Sequence, residues 1–179
     1  TYNAKERNGT GVTMGGYSTQ IVVDQRYTLH VSPKLDLAAV APLLCAGITT
    51  YSPLVFAGVK KGMKVAVVGL GGLGHMGVKF AVSFGAEVTV ISTSPSKEAD
   101  AKKLGATHFL ISTDAAAMKK YNSYFDVILD AISANHDFTT YLNLLATNGK
   151  LMVVGLPIES PKVQPFSLVT NRRSVIGSS

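Results

Sequence analysis

An α/β domain on a doubly wound, six-stranded parallel sheet is the fold that this sequence predicts, and three observations predict it. Short runs rich in Val, Ile, Leu and Phe recur from Lys64 onward. Stretches of helical period separate them, and glycines such as Gly85 and Gly105 stand where those helices should stop. Strands alternating with helices require right-handed crossovers, which places the strands parallel and covers both faces of the sheet.

Taken in order, the elements divide near residue 32. Residues 15–24 and 27–31 alternate or run apolar between turn residues and read as short strands. Two or three strands cannot stand alone, so residues 1–31 are expected to be a β remnant of another domain, and 32–179 the α/β domain. From Leu35 to about Ala57 the period is helical, with Pro42 near a helix start and Pro53 expected to break or kink it.

Lys64–Gly69 is an apolar run that ends in glycine, as a strand buried on both faces should be. A glycine-rich turn and a helix over Leu73–Phe84 follow, with Gly85 as C-cap. Strands are then expected at Glu87–Ser92, Thr107–Ile111, Phe125–Asp130, Lys150–Gly155 and Ser174–Gly177. Helices are expected at Ser96–Leu104, Ala115–Lys120 and Phe138–Leu145, with Gly105 and Gly149 at two of their ends. Pro157, Pro161 and Pro165 mark a loop. This rhythm fits the strand order 3-2-1-4-5-6.

Composition excludes several classes. Apolar residues make up 46% of the 179 and charged residues 16%, far from the profile of a disordered chain. One cysteine rules out a disulfide framework. No apolar run reaches membrane-spanning length and no signal-peptide core opens the chain, so a reducing cytoplasm is the expected setting. The net charge is +6, spread over pairs such as Lys60-Lys61, Lys102-Lys103, Lys119-Lys120 and Arg172-Arg173. These pairs are scattered and no aromatics interleave with them, which argues against nucleic acid and for solvated surface; a small phosphorylated partner remains compatible.

Gly69-Leu70-Gly71-Gly72-Leu73-Gly74 matches G-x-G-x-x-G, directly after a buried strand and at the opening of a helix. That context separates a dinucleotide-binding Rossmann turn from an ordinary glycine-rich one. Gly69 permits the tight turn, Gly71 lets backbone N–H groups approach a diphosphate, and Gly74 lets helix and strand pack closely. The helix N-terminus adds unpaired N–H donors and partial positive charge.

NAD-binding chains carry an acid at the end of the second strand, about 20 residues on. Here the acid, Glu87, begins that strand and Ser92 ends it, followed by Thr93, Ser94, Pro95, Ser96 and Lys97. Hydroxyls and an ammonium suit a 2′-phosphate, so NADP(H) is expected over NAD(H). Helix capping by Ser94 or Ser96 is a competing use of the same hydroxyls, and both can hold together. A methyltransferase using S-adenosylmethionine would share the glycine loop but keep an acid where Ser92 stands.

Cys45 lies in an apolar helical stretch, where a cysteine is commonly a small buried hydrophobe and less often a ligand. His30, His75, His108 and His136 stand at no metal-ligand spacing from it and read as structural or surface residues.

Three segments, Pro42–Leu54, Gly69–Ala81 and Val90–Lys97, together resemble the zinc-dependent medium-chain dehydrogenases, and within them the cinnamyl alcohol dehydrogenase branch with its microbial aldehyde-reductase relatives. The resemblance implies that Cys45 is one ligand of a catalytic zinc and that Thr49 approaches the nicotinamide end of the cofactor. It also implies that Ser92, Thr93, Ser94 and Lys97 bind the 2′-phosphate, and that Gly155 and Ser178 line the nicotinamide half. Relatives often carry Thr after the acid that ends the fourth strand, where this chain has Ala131.

Such enzymes are about twice this length, so the chain is expected to be a fragment that binds NADP(H), holds no zinc and is catalytically silent. The longer parent would pass hydride between NADP(H) and an alcohol or aldehyde, and would dimerise through sheet edges. A non-catalytic NADP(H)-sensing module and a zinc-free quinone-reductase relative are the competing readings; Cys45 speaks against the latter.

Overall fold

The computed structural model describes Lys5, Glu6, Gly9, Gly11, Val12, Gly16 and residues 19–179. These fall into two compact units, Thr1–Asp36 and Leu37–Ser179. In the first unit a single antiparallel bridge joins Lys5 and Val12, and Gln25–Tyr27 forms a 3-10 turn capped by the Asp24 carboxylate. The strands expected at residues 15–24 and 27–31 are absent from residues 19–31, while Gly15, Tyr17 and Ser18 lie outside the described residues. A strand needs a neighbour for its backbone groups, and Ile21, Val22, Tyr27 and Leu29 are exposed instead of paired.

The second unit is the expected sheet. Its strands are β1 (Lys64–Val68), β2 (Glu87–Ser92), β3 (His108–Ile111), β4 (Phe125–Asp130), β5 (Leu145–Val153) and β6 (Ser174–Gly177). All neighbours pair in parallel, in the order β3-β2-β1-β4-β5-β6. Successive residues of a strand face opposite sides, and both sides are covered. Val65 and Val67 of β1 face one apolar layer, Ala66 and Val68 the other.

The helices are α1 (Leu37–Val40), α2 (Ala46–Ala57), α3 (Gly72–Ser83), α4 (Glu98–Lys103), α5 (Ala115–Lys119), α6 (Phe138–Leu144) and α7 (Pro165–Val169). Leu54 of α2, Val78 and Ala81 of α3 and Ala101 of α4 pack on the first face; Met118 of α5 and Phe138 and Leu142 of α6 pack on the second. Among the described residues no single helix is long and apolar enough to cross a membrane.

Four local expectations fail for identifiable reasons. The break in the first helical stretch falls at Cys45, whose ψ of −81° ends the turn started by Pro42, and the axis bends by 49° there. Pro53 sits inside α2 without ending it. Gly149 does not close α6, because that helix stops at Leu144 and Leu145 already pairs with Phe125; β5 then shifts register before Lys150 meets Val127. Pro165 lies in no loop but opens α7, where its missing N–H costs nothing.

Arg173 is the fourth, buried rather than solvated, at 9% exposure. Its guanidinium donates to the carbonyls of Leu145, Ser167 and Asn143 and to the Ser123 hydroxyl.

Thr89 in β2 has a fully enclosed hydroxyl that finds no partner among the described residues. Thr89→Val keeps the shape and removes an oxygen that lost its water on folding, so it is expected to stabilise the chain by about 1 kcal/mol. Urea denaturation reads the change, and a lower midpoint would contradict the assignment.

Candidate functional site

The carboxyl ends of β1, β2, β3 and β4 open onto a groove of about 370 Å³. Sheets of this type bind ligands in such a crevice, where the strand order reverses beside β1. Of the residues singled out by sequence, the groove gathers Gly69, Leu70, Gly71, Ser92, Thr93, Ser94 and Lys97. It also takes in Ser112, Ile132, Ala134 and Tyr141, which local sequence did not mark. They come from the residue just after β3, the loop after β4 and α6, so only the crossover topology brings them here.

The glycine turn is built for close approach. Gly69 has φ +85°, a left-handed conformation, and its N–H bonds the Ile91 carbonyl at 2.9 Å, tying the turn to β2. A Cβ on Gly74 would collide with the Gly69 carbonyl, so helix and turn touch there through backbone alone. A Cβ on Gly71 or Gly72 would meet nothing, which leaves free space in front of the first turn of α3. Gly72, Leu73 and Gly74 form that turn and present its amides.

At the tip of β2 the Ser92 hydroxyl accepts from the Ser94 N–H at 3.2 Å, and the Ser94 and Ser96 hydroxyls are 2.9 Å apart. Ser94 precedes the 3-10 turn Pro95–Lys97 without capping it through its side chain. The expected capping bond is therefore absent, and the hydroxyls remain directed at each other and the solvent. Among the described residues no acid pairs with the Lys97 ammonium, and Lys97 lines both the groove and an adjoining hollow with His75, Asp100 and Lys103. Glu87 is at the far end of β2, where it accepts from the Tyr124 hydroxyl at 2.8 Å and pairs with His108 at 3.3 Å.

The fourth strand ends in Asp130, which is fully buried. Its carboxylate accepts from the Ile132 N–H at 3.1 Å and faces His136 Nε2 at 2.7 Å; its carbonyl accepts from the Val154 and Gly155 N–H groups. Burial pushes the Asp130 carboxyl up from its usual range, against the pull of those hydrogen bonds. The other nitrogen of His136 lies 2.8 Å from the Ala134 carbonyl. With acceptors on both sides, the Asp130–His136 pair must hold one proton in each contact. His136, at 11% side-chain exposure, is thus the pin of the groove-wall loop, a structural role with a definite address.

Gly155 and Ser178 lie past the carboxyl ends of β5 and β6, and the Ser178 N–H bonds the Val153 carbonyl. They share the sheet edge with the groove but do not line it. Cys45 and Thr49 are one turn apart at the start of α2, where the Thr49 N–H bonds the Cys45 carbonyl at 3.0 Å. Cys45 is exposed, so the buried-hydrophobe reading fails for this chain. Among the described residues no three His, Cys, Asp or Glu side chains are placed to hold a metal ion.

Comparison with known proteins gives a consistent result. Residues 72–179 match a family model described as zinc-binding dehydrogenase. The chain is 49% identical over 178 residues to NADP-dependent alcohol dehydrogenase C 1 of Mycolicibacterium smegmatis, covering 99% of this chain and 51% of that protein. The solved cinnamyl alcohol dehydrogenase SbCAD4 of Sorghum bicolor superposes with a TM-score of 0.94 at 43% identity, over 99% of this chain and 51% of that one. A Helicobacter pylori cinnamyl alcohol dehydrogenase solved with NADP(H) superposes at 0.86 and 44% identity, over 97% and 49%. The chain spans about half the length of the curated relatives it matches.

Proposed function

This chain belongs to the zinc-binding dehydrogenase family, and from that premise we propose that it is the NADP(H)-binding part of an alcohol dehydrogenase that interconverts alcohols and aldehydes. The observation that carries the cofactor choice is the tip of β2: three hydroxyls stand there with a lysine that pairs with no acid among the described residues, and the strand's acid is at its other end. The free space at Gly71 and Gly72 fits the diphosphate of the same molecule.

Each part of the chain then has a task. The first-turn amides of α3 hold the diphosphate, and Ser92, Thr93, Ser94 and Lys97 hold the 2′-phosphate. Gly155, Ser178 and Thr49 lie toward the nicotinamide end. When bound, NADP(H) supplies the hydride acceptor or donor, and this domain fixes its position. The described residues do not by themselves fit a catalytic zinc, which needs three protein ligands. Cys45 offers one, to a centre completed by residues beyond this chain. On this reading the chain alone binds cofactor and turns nothing over. Among the described residues β6 is an edge strand with no further neighbour, and there the longer protein joins a second copy of itself.

Calorimetric titration with NADPH and NADH tests the reading. NADPH is expected to bind more tightly, and Lys97→Ala to weaken NADPH about tenfold while leaving NADH unchanged, because the lysine meets only the additional phosphate. Equal affinity of the unmodified chain for the two forms would refute the 2′-phosphate assignment.

A further inference from the structure

We infer that the Tyr141 hydroxyl is a specificity-determining donor to the purine ring of the bound dinucleotide, a role that rests on the NADP(H) reading of the groove. Tyr141 is 6% exposed and lines the groove, and among the described residues its hydroxyl has no hydrogen-bond partner. Thr89 is the fully enclosed, unpartnered side-chain oxygen among those residues, so the Tyr141 oxygen is not fully enclosed, and the groove that Tyr141 lines is open to a ligand. A nearly buried hydroxyl without a partner costs stability unless something arrives to accept from it.

The ring is also held in place. His136 packs edge-on against it at 5.6 Å and 75°, and His136 is pinned between Asp130 and the Ala134 carbonyl. A donor locked this way loses little freedom when a ligand binds. Burial and the nearby charges of Asp130 and Asp137 push the Tyr141 phenol up to about 12, so it stays a neutral donor across the working pH range.

What the donor meets follows from its neighbours. Ile91, Ile132 and Ala134 make the adjoining wall apolar, which suits a flat heteroaromatic ring with ring-nitrogen acceptors better than a phosphate. A phosphate is served instead by Lys97, which lines the same groove. Gly155 and Ser178 do not line this groove, so the ring in question is the purine and not the nicotinamide.

Tyr141→Phe removes only the oxygen and breaks no internal hydrogen bond, so its melting temperature is expected to equal or slightly exceed that of the unmodified chain. Two probes are titrated: NADPH and 2′,5′-ADP, which carries the purine and no nicotinamide. Both dissociation constants are expected to rise about five- to tenfold, with the NADPH-to-NADH ratio unchanged. Unchanged constants for both probes overturn the assignment while leaving the NADP(H) reading intact. Weakening of NADPH without weakening of 2′,5′-ADP also overturns it, since the donor would then serve the other half. If the unmodified chain binds neither probe, the NADP(H) reading falls first and this one with it.

Discussion

Replacing Gly74 by valine is expected to cost about 3 kcal/mol of stability and to abolish NADPH binding together. The added Cβ would be driven into the Gly69 carbonyl, a backbone atom that cannot rotate away as a side chain can. Gly69 is itself held by the Ile91 carbonyl and its left-handed φ, so relief requires moving α3 off the sheet. Val78 and Ala81 of that helix are fully buried, and shifting it opens their packing against β1.

Gly71→Ala is the paired control. Its backbone, at φ −110° and ψ −155°, is extended and open to any residue, and a Cβ there meets nothing. That variant should melt with the unmodified chain yet bind NADPH at least tenfold more weakly, because the methyl occupies the space the diphosphate needs. A Gly71→Ala chain that binds normally would remove the diphosphate from this position, and a Gly74→Val chain of unchanged stability would remove the packing argument.

Arg173→Met is expected to lower stability by about 3 kcal/mol. The methionine fills much of the volume, but the carbonyls of Leu145 and Ser167 lose this donor, while the Asn143 carbonyl keeps the Ser123 N–H and the Ser123 hydroxyl keeps its contact with Asn171. These acceptors belong to the start of β5, to α7, to α6 and to the turn before β4, so the loss is felt along one side of the sheet. Arg173→Lys keeps the charge but reaches fewer acceptors, and should recover only part of the difference. Urea unfolding of both variants measures it; a methionine variant as stable as the parent would mean that water already serves those carbonyls.

The two residues illustrate what was legible. Gly74 could be found from sequence because its role is written locally: a strand of valines, a turn, and a helix within a dozen residues. For the same reason the bounds of β2 and β4 could be read to the residue, since a strand buried on both faces is a largely apolar run. Arg173 could not. A basic pair beside Ser174 looks like surface, and nothing nearby announces acceptors that lie up to 50 positions away. His136 and Tyr141 were hidden likewise, their functional neighbours being Asp130 and the ends of other strands.

Pattern alone also misplaced segments whose outcome depends on a partner. Residues 19–31 have the alternation of strands but find no strand to pair with among the described residues. Leu145 has the period of the helix before it, yet pairs with Phe125 in the sheet.

By itself, then, the sequence determined the doubly wound sheet, the glycine turn and the absence of an acid at the tip of β2, because each rests on backbone conformation and burial within a few consecutive residues. Tertiary structure alone decided where Arg173 is buried, how Asp130 and His136 share their protons, and which tyrosine faces the groove. Those outcomes are set by desolvated polar groups seeking partners, and parallel crossovers deliver the partners from distant parts of the chain.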